Sequence, residues 1–184
     1  GDANMRLIIV SGLSGSGKTV AMHALEDEGF YCIDNLHLDL LPAFLDLIDG
    51  PELRQREDIA ISIDARSGIR QLEDFEHIVE RLHRLRLHTE ILFLQAELDA
   101  LIQRFSETRR KHPLTRPGLA LIEAIKEERR LLAGVAAEAA LIIDTTHTNV
   151  HEVAALIRER VRGAKAPAMS RSEERRVGKE CATG

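Results

Sequence analysis

The segment IIVSGLSGSGKTV, residues 8–20, places a glycine-rich polar loop between an apolar run and a helical stripe. Gly12, Gly17, Lys18 and Thr19 fit the spacing G-x-x-x-x-G-K-[ST], which requires a strand before it and a helix after it. Glycines let the backbone curl so that successive N–H groups point at phosphate oxygens, and the following helix adds its positive N-terminal end. The pattern therefore predicts a phosphate-binding loop over residues 12–19, called the P-loop below. The alternative is a glycine-rich turn without a ligand.

Two side chains of the P-loop have distinct expected roles. Lys18 is predicted to reach the β- and γ-phosphates as a point charge and to act in catalysis. Thr19 is predicted to offer its hydroxyl to Mg²⁺. The residues of the loop predicted to bind the nucleotide are Gly12, Leu13, Ser14, Gly15, Ser16, Gly17, Lys18 and Thr19.

Apolar runs alternate with helical patterns through the rest of the chain. Five runs are short and nearly all apolar: RLIIV, FYCID, IAISID, EILFL and LIID. Such runs are typical of parallel strands that are buried on both faces of a sheet. The sequence therefore predicts an α/β fold of the P-loop NTPase type, a five-stranded parallel sheet with helices on both faces, similar to nucleotide kinases. Ligands of such sheets bind beyond the carboxyl ends of the strands.

Three aspartates stand at predicted strand ends. Asp64 ends IAISID and is predicted to serve as the Walker B acid, a Mg²⁺-site and catalytic residue, with a strand-end turn as the alternative. Asp34 ends FYCID and either lies near a phosphoryl acceptor or a water molecule, or forms a turn or N-cap pair with Asn35. Asp144 ends LIID and either lines a base pocket or caps the final helix.

The stretch RFSETRRKHPLTR, residues 104–116, is called the basic segment below. It carries five basic side chains and resembles the lid of a small kinase. Arginines in such a lid clamp phosphates and stabilise transition-state charge. We favour Arg104 and Arg109 for phosphate contact and predict Arg109 as a catalytic residue. The alternative is a solvated basic face that contacts RNA or a protein partner.

Bulk properties exclude several classes of protein. The 184 residues carry a formal charge of −5, which excludes a basic surface for nucleic acid over the whole chain. Because the chain has no run of 18 apolar residues and no secretory signal, we expect no membrane association. Two cysteines form no disulfide framework, so a cytoplasmic location is expected. We expect a leader or tag at residues 1–4, one domain at residues 5–163, and a linker with a disordered or foreign tail at residues 164–184.

Four blocks of the sequence, VSGLSGSGKTVAMHALEDEGFYCIDNL, IDARS, LIQRFSETRRKHPL and IDTT followed by HEV, resemble the RapZ/YvcJ family of P-loop proteins. The resemblance implies ATP binding at residues 12–19. It also implies a second nucleotide segment, described as GTP-binding, at Asp64, Ala65, Arg66 and Ser67. Gln95 departs from the family, which usually has an acidic residue there.

The same resemblance implies a biological setting. Family members bind, and in some cases hydrolyse, ATP and GTP. The enterobacterial adapter recruits a ribonuclease to a small RNA and so controls amino-sugar synthesis. The family also carries a C-terminal domain, credited with RNA and sugar-phosphate binding, which we expect to be absent from this chain.

Three functions remain open at this level. The first is a regulatory domain that binds ATP or GTP with Mg²⁺ and hydrolyses it slowly. The second is a small-molecule or nucleotide kinase with an unidentified acceptor. The third is an interaction module in which the nucleotide only stabilises the shape. The residue patterns do not fix the base or the oligomeric state, and a homo-oligomer is possible.

Overall fold

A computed structural model describes residues 5–50, 58–63, 67, 75–85, 87–108, 111–117, 119–163 and, for the backbone alone, 176–178. The strands are β1 (Arg6–Gly12), β2 (Tyr31–Leu36), β3 (Ile59–Ile63), β4 (His88–Gln95), β5 (Leu141–Asp144) and β6 (Arg176–Gly178). All neighbours are parallel, in the order β2-β3-β1-β4-β5-β6. The five predicted strands are confirmed. The short β6 extends the β5 edge from within the segment expected to be a linker and tail.

Seven helices are seen in the described part of the chain. They are α1 (Lys18–Asp27), α2 (Leu41–Asp49), α3 (Phe75–Arg84), α4 (Leu98–Thr108), α5 (Leu121–Leu131), α6 (Ala133–Ala137) and α7 (Val150–Gly163), and a 3₁₀ turn (Leu38–Leu40) precedes α2. Pro42 lies in the first turn of α2, where its missing N–H costs no helical hydrogen bond. Helices α5 and α6 are separated at Leu132, which leaves helical geometry with ψ near 2°.

Alternation along β1 explains why helices cover both faces of the sheet. Leu7 and Ile9 belong to one buried cluster, whereas Ile8 and Val10 belong to the other. Successive side chains of a strand point to opposite faces, so a strand that is apolar at every position must be buried on both. Helices α1 and α7 cover the Ile8 face, and α2 to α6 cover the Leu7 face. The predicted two-sided packing is confirmed.

The strand order places the P-loop at the centre of the sheet. Strand β1 lies between β3 and β4, and the chain leaves it toward β2 on one side and later reaches β4 on the other. This reversal is the kind of switch point at which open α/β sheets bind ligands. Because all strands are parallel, the carboxyl ends of β1, β3, β4 and β5 meet at the same edge as the P-loop.

Candidate functional site

The P-loop leaves β1 at the carboxyl edge and folds against the next strand. The Leu13 amide donates to the carbonyl of Leu94 on β4 at 3.0 Å. The Ser16 amide and hydroxyl both donate to the Leu13 carbonyl, at 3.0 and 2.5 Å. Ser16 is fully buried and Gly15 is exposed. The loop is therefore closed by its own hydrogen bonds and leaves one side open.

Two glycines of the P-loop have geometries that other residues would resist. A Cβ on Gly12, whose φ is 152°, would lie 2.4 Å from the carbonyl oxygen of Leu94, a backbone atom that cannot move aside. Gly17 ends the loop in a left-handed conformation, with φ 109° and ψ 18°, immediately before α1. The two glycines that define the sequence pattern are therefore required by packing and by backbone conformation.

Three amides of the P-loop are left without an internal acceptor. Within the described chain, no hydrogen-bond acceptor is found for the N–H groups of Gly15, Gly17 and Thr19. Helix α1 begins here and has no side-chain cap. Unpaired amides and the positive end of a helix together suit an anion such as phosphate. Lys18 is half-buried and Thr19 is exposed.

A buried carboxylate lies under the other side of the P-loop. Glu128 on α5 is 1% exposed, and its Oε1 and Oε2 accept from the amide and hydroxyl of Ser14, each at 2.6 Å. Its Oε1 also lies 3.1 Å from Nε2 of the buried His112. Burial would raise the pKa of the Glu128 carboxyl, but the hydrogen bonds from His112 and Ser14 outweigh it and lower this pKa. Glu128 is therefore ionised at neutral pH.

Arg104 and Thr145 hold the P-loop from the direction of β5. The Arg104 guanidinium donates to the carbonyl of Gly15 at 3.0 Å and to the carbonyl of Thr145. The Thr145 hydroxyl donates to the carbonyl of Ser16 at 2.7 Å. Burial lowers the pKa of the Arg104 guanidinium, and the Asp144 carboxylate opposes that effect. Arg104, favoured from the sequence for phosphate contact, thus donates hydrogen bonds that hold the P-loop against the residue that follows β5.

Asp34 and Asn35 form the other notable strand end. The chain bulges between Ile33 and Leu36, and Asn35 has φ 55°. The Ser62 hydroxyl on β3 donates to Asp34 at 3.2 Å and accepts from the Asn35 amide at 2.8 Å. The turn or N-cap alternative for this pair is therefore wrong, because both residues lie within β2, which continues to Leu36, and Asp34 is exposed there.

Asp144 does not cap the final helix. Its Oδ1 accepts from the amide and hydroxyl of Thr146, at 2.9 and 2.5 Å. Asn149 caps α7 instead, because its side-chain oxygen accepts from the Glu152 amide at 2.9 Å. The capping alternative for Asp144 is therefore wrong.

The second predicted nucleotide segment is described only at its last residue. Ser67 is buried, and its hydroxyl accepts from the Leu38 amide at 3.1 Å, which ties it to the 3₁₀ turn before α2. The other three residues of this segment lie outside the described residues: Asp64, which is also a predicted Mg²⁺-site residue, Ala65 and Arg66. Arg109 of the basic segment lies outside them as well. Their roles stay predictions.

Sequence reasoning missed Glu128 and His112. A signal for Glu128 was available, because Ala124, Ile125 and Glu128 share one buried face of α5 at helical spacing. A carboxylate on an apolar stripe requires buried donors. Nothing in the linear sequence indicated that Ser14, 114 residues earlier, would supply them.

The described residues contain no cluster of three or more His, Cys, Asp or Glu side chains that could hold a metal ion. None of the described helices is long and apolar enough to cross a membrane.

Comparison with known proteins identifies the family. The family model for the RapZ-like N-terminal domain matches residues 5–165. The chain belongs to the RapZ-like family. The resemblance stated from the sequence blocks is thereby confirmed.

Relatives of this RapZ-like chain are longer than it is. It is 52% identical over 166 residues to a nucleotide-binding protein of Thioalkalivibrio sulfidiphilus, covering 90% of this chain and 58% of the relative. It is 51% identical over 157 residues to a nucleotide-binding protein of Methylococcus capsulatus, covering 85% of this chain and 53% of the relative. The chain therefore spans little more than half the length of these relatives.

A solved structure supports the fold. Shikimate kinase of Acinetobacter baumannii, determined in complex with shikimate, aligns with a TM-score of 0.57 over 90% of this chain and 97% of the kinase, at 15% identity. At such low identity the likeness concerns the fold alone. The predicted P-loop NTPase architecture, similar to small kinases, is confirmed.

Proposed function

We propose that this domain binds a nucleoside triphosphate, ATP or GTP, together with Mg²⁺, and hydrolyses it slowly as part of a regulatory protein. The observation that carries the proposal is the set of P-loop amides, at Gly15, Gly17 and Thr19, that lack an acceptor within the described chain at the start of α1. An anion that accepts from these amides removes the cost of leaving them unpaired. The relatives at about 50% identity carry the name nucleotide-binding protein, which supports the same ligand class.

The proposed roles follow the chemistry of phosphoryl transfer. Lys18 neutralises charge on the β- and γ-phosphates, and Thr19 with Asp64 holds the Mg²⁺ ion and its water shell. Bound Mg²⁺ would neutralise charge on the phosphate oxygens. Arg109 contacts the phosphates and stabilises charge in the transition state. The segment Asp64, Ala65, Arg66 and Ser67 forms a second part of the nucleotide site.

The wider setting follows from the family resemblance. We propose a cytoplasmic RNase adapter in which residues 5–163 form the nucleotide-responsive domain. The ribonuclease is a partner of the whole protein. Small RNA is bound mainly by the family's C-terminal domain, and amino-sugar synthesis is the regulated output.

A thermal-shift series tests nucleotide binding. A ligand that binds only the folded state adds stability as RT ln(1 + [L]/Kd), or about 2.7 kcal/mol at a hundredfold excess over Kd. We expect ATP-Mg²⁺ or GTP-Mg²⁺ to raise Tm, and the difference between them to report base preference. Lys18→Ala should lose the increment, whereas Lys126→Ala, on the exposed face of α5, should keep it. An equal increment in both variants would refute the phosphate assignment.

Phosphate release tests hydrolysis and separates the roles of two residues. Asp64→Asn should slow Mg²⁺-dependent release more than it weakens binding, because it removes a charge on the metal side. Arg109→Ala should slow release if the basic segment contacts the phosphates. Binding without any release in the unmodified protein would leave a nucleotide-stabilised interaction module as the function.

A kinase is the second candidate, and one observation favours it. Asp34 is exposed in the carboxyl half of β2, toward the edge of the sheet that carries the P-loop, where a phosphoryl acceptor would have to lie. Phosphate transfer that occurs only when an acceptor is added, and that Asp34→Asn abolishes, would establish this function. Release from ATP or GTP alone supports the regulatory domain.

A further inference from the structure

The contact between Ser14 and Glu128 joins the P-loop to a distant helix. Both partners are buried, and the two carboxylate oxygens receive the amide and the hydroxyl of one serine at 2.6 Å each. Hydrogen bonds to an ionised acceptor are about twice as strong as neutral ones. The P-loop is therefore fixed at Ser14, while the neighbouring Gly15 remains exposed.

His112 connects the same carboxylate to the basic segment. The Leu114 amide donates to His112 Nδ1 at 3.1 Å, so this nitrogen carries no proton. We therefore assign the proton to Nε2, which donates to Glu128 Oε1 at 3.1 Å. The imidazole is neutral in this state and the carboxylate accepts three hydrogen bonds. His112 also packs against Phe105, with ring centroids 5.3 Å apart.

Phe105 forms a second contact between the basic segment and the P-loop. A Cβ built on Gly15 would lie 3.2 Å from the Phe105 ring, so this ring lies directly beside the P-loop backbone. The basic segment thus contacts the loop directly at Gly15, through Phe105 and Arg104, and indirectly at Ser14, because His112 hydrogen-bonds to Glu128. A shift of His112 would change its packing against Phe105, which lies beside Gly15, and its hydrogen bond to Glu128, which holds Ser14.

We propose that Glu128 is a positioning residue of the nucleotide site, which sets the P-loop through Ser14 and, through His112, makes nucleotide affinity depend on the conformation of the basic segment. The inference rests on the proposed function, because the affinity in question is that for a nucleoside triphosphate. His112 belongs to the basic segment and hydrogen-bonds to Glu128, so the position of this part of the segment acts on the P-loop through the Glu128 contact.

The first arm of the test measures ATP-Mg²⁺ and GTP-Mg²⁺ affinity by calorimetry. Glu128→Met removes every acceptor at similar volume and should raise Kd at least about tenfold. Glu128→Gln keeps an oxygen for the Ser14 amide and can donate to its hydroxyl, so it should stay within about threefold of the unmodified protein. Glu123→Gln, exposed on the same helix, is the control and should leave Kd unchanged. A wild-type Kd in Glu128→Met would overturn the proposal.

The second arm measures the coupling between Ser14 and His112. It uses milder substitutions, which should fold even if Glu128→Met does not. Ser14→Ala removes one hydrogen bond to the carboxylate, and His112→Phe removes another while keeping a ring against Phe105. Because both bonds end on Glu128, their effects on Kd should be non-additive in a double-mutant cycle. Additive effects would overturn the coupling.

The third arm needs no nucleotide. In the ligand-free protein, His112→Phe should accelerate hydrogen exchange of the Ser14 amide and leave amides of α7 unchanged. An unchanged Ser14 rate would overturn the coupling. Failure of the unmodified protein to bind ATP or GTP would refute the proposed function and the affinity part of the inference, whereas this arm would still decide whether His112 and the P-loop are coupled.

Discussion

The Nη1 atom of Arg104 lies 3.0 Å from the Thr145 hydroxyl and 3.0 Å from the carbonyl oxygen of Gly15. One guanidinium on α4 therefore spans the P-loop and the connection from β5 to α7. The planar guanidinium holds its donors in a fixed fork, whereas the donors of a lysine ammonium rotate about a single nitrogen at the end of a flexible stem.

Arg104→Lys should lose most of the folding stability that Arg104→Ala loses. We expect both to lower the free energy of unfolding by about 2 kcal/mol, because hydrogen bonds from a half-buried charged group are broken. Urea denaturation measures the change. Arg84→Ala, exposed on α3, is the control and should shift the midpoint little. A lysine variant as stable as the unmodified protein would show that the fork geometry is unimportant.

Two threonines of the β5–α7 connection should respond in opposite ways to valine. Thr145 is 1% exposed and its hydroxyl donates to the Ser16 carbonyl, so Thr145→Val should cost about 1–3 kcal/mol. The buried Thr148 hydroxyl has no partner in the described part of the chain, so Thr148→Val should be neutral or stabilising. Thermal unfolding of the two variants side by side makes the comparison. Equal destabilisation would contradict this account.

Two glycines should also diverge on substitution by alanine. Gly12→Ala forces a Cβ to within 2.4 Å of the Leu94 carbonyl oxygen, and we expect a loss of about 3 kcal/mol or failure to fold. Gly134 lies inside α6 and a Cβ there meets nothing within 4 Å, so Gly134→Ala should gain about 0.5–1 kcal/mol. Denaturation midpoints test both. A tolerated Gly12→Ala would show that β1 and β4 can separate there.

The pH dependence of stability should report the Glu128 carboxylate. Its folded pKa lies below the ordinary value of 4.5, so the stabilisation is complete above that value and is lost as pH falls through the folded pKa. His112 is the titratable group that faces it in the described chain. The unfolding free energy of the unmodified protein minus that of Glu128→Gln should therefore be constant above 4.5 and fall below it. Urea titrations at several pH values measure this difference, with Glu123→Gln as the control. A difference that does not depend on pH would mean that Glu128 is not ionised in the folded state.

The sequence by itself determined the architecture and the P-loop. Strands that are apolar at every position require burial on both faces, and the alternation with helices requires parallel pairing. The glycine spacing, with Lys18 and Thr19, is a local property, because backbone conformation and a helix start depend on neighbouring residues. The turn or N-cap expected at Asp34 and Asn35 was wrong, because pairing with β3 continues past a bulge to Leu36.

Tertiary structure alone decided what supports that loop. Ser14 and Glu128 are 114 residues apart, and Thr145 is 129 residues from Ser16, so their hydrogen bonds exist only once β1, β4 and β5 lie side by side. Local sequence patterns also could not predict the strand order, because they indicate how a strand is buried but not which strand pairs with it. Arg104 shows the consequence: composition marked it as a phosphate ligand, whereas the fold brings two backbone carbonyls within reach of its donors. A buried carbonyl such as that of Thr145 must be paired, and Arg104 is the donor that packing places beside it.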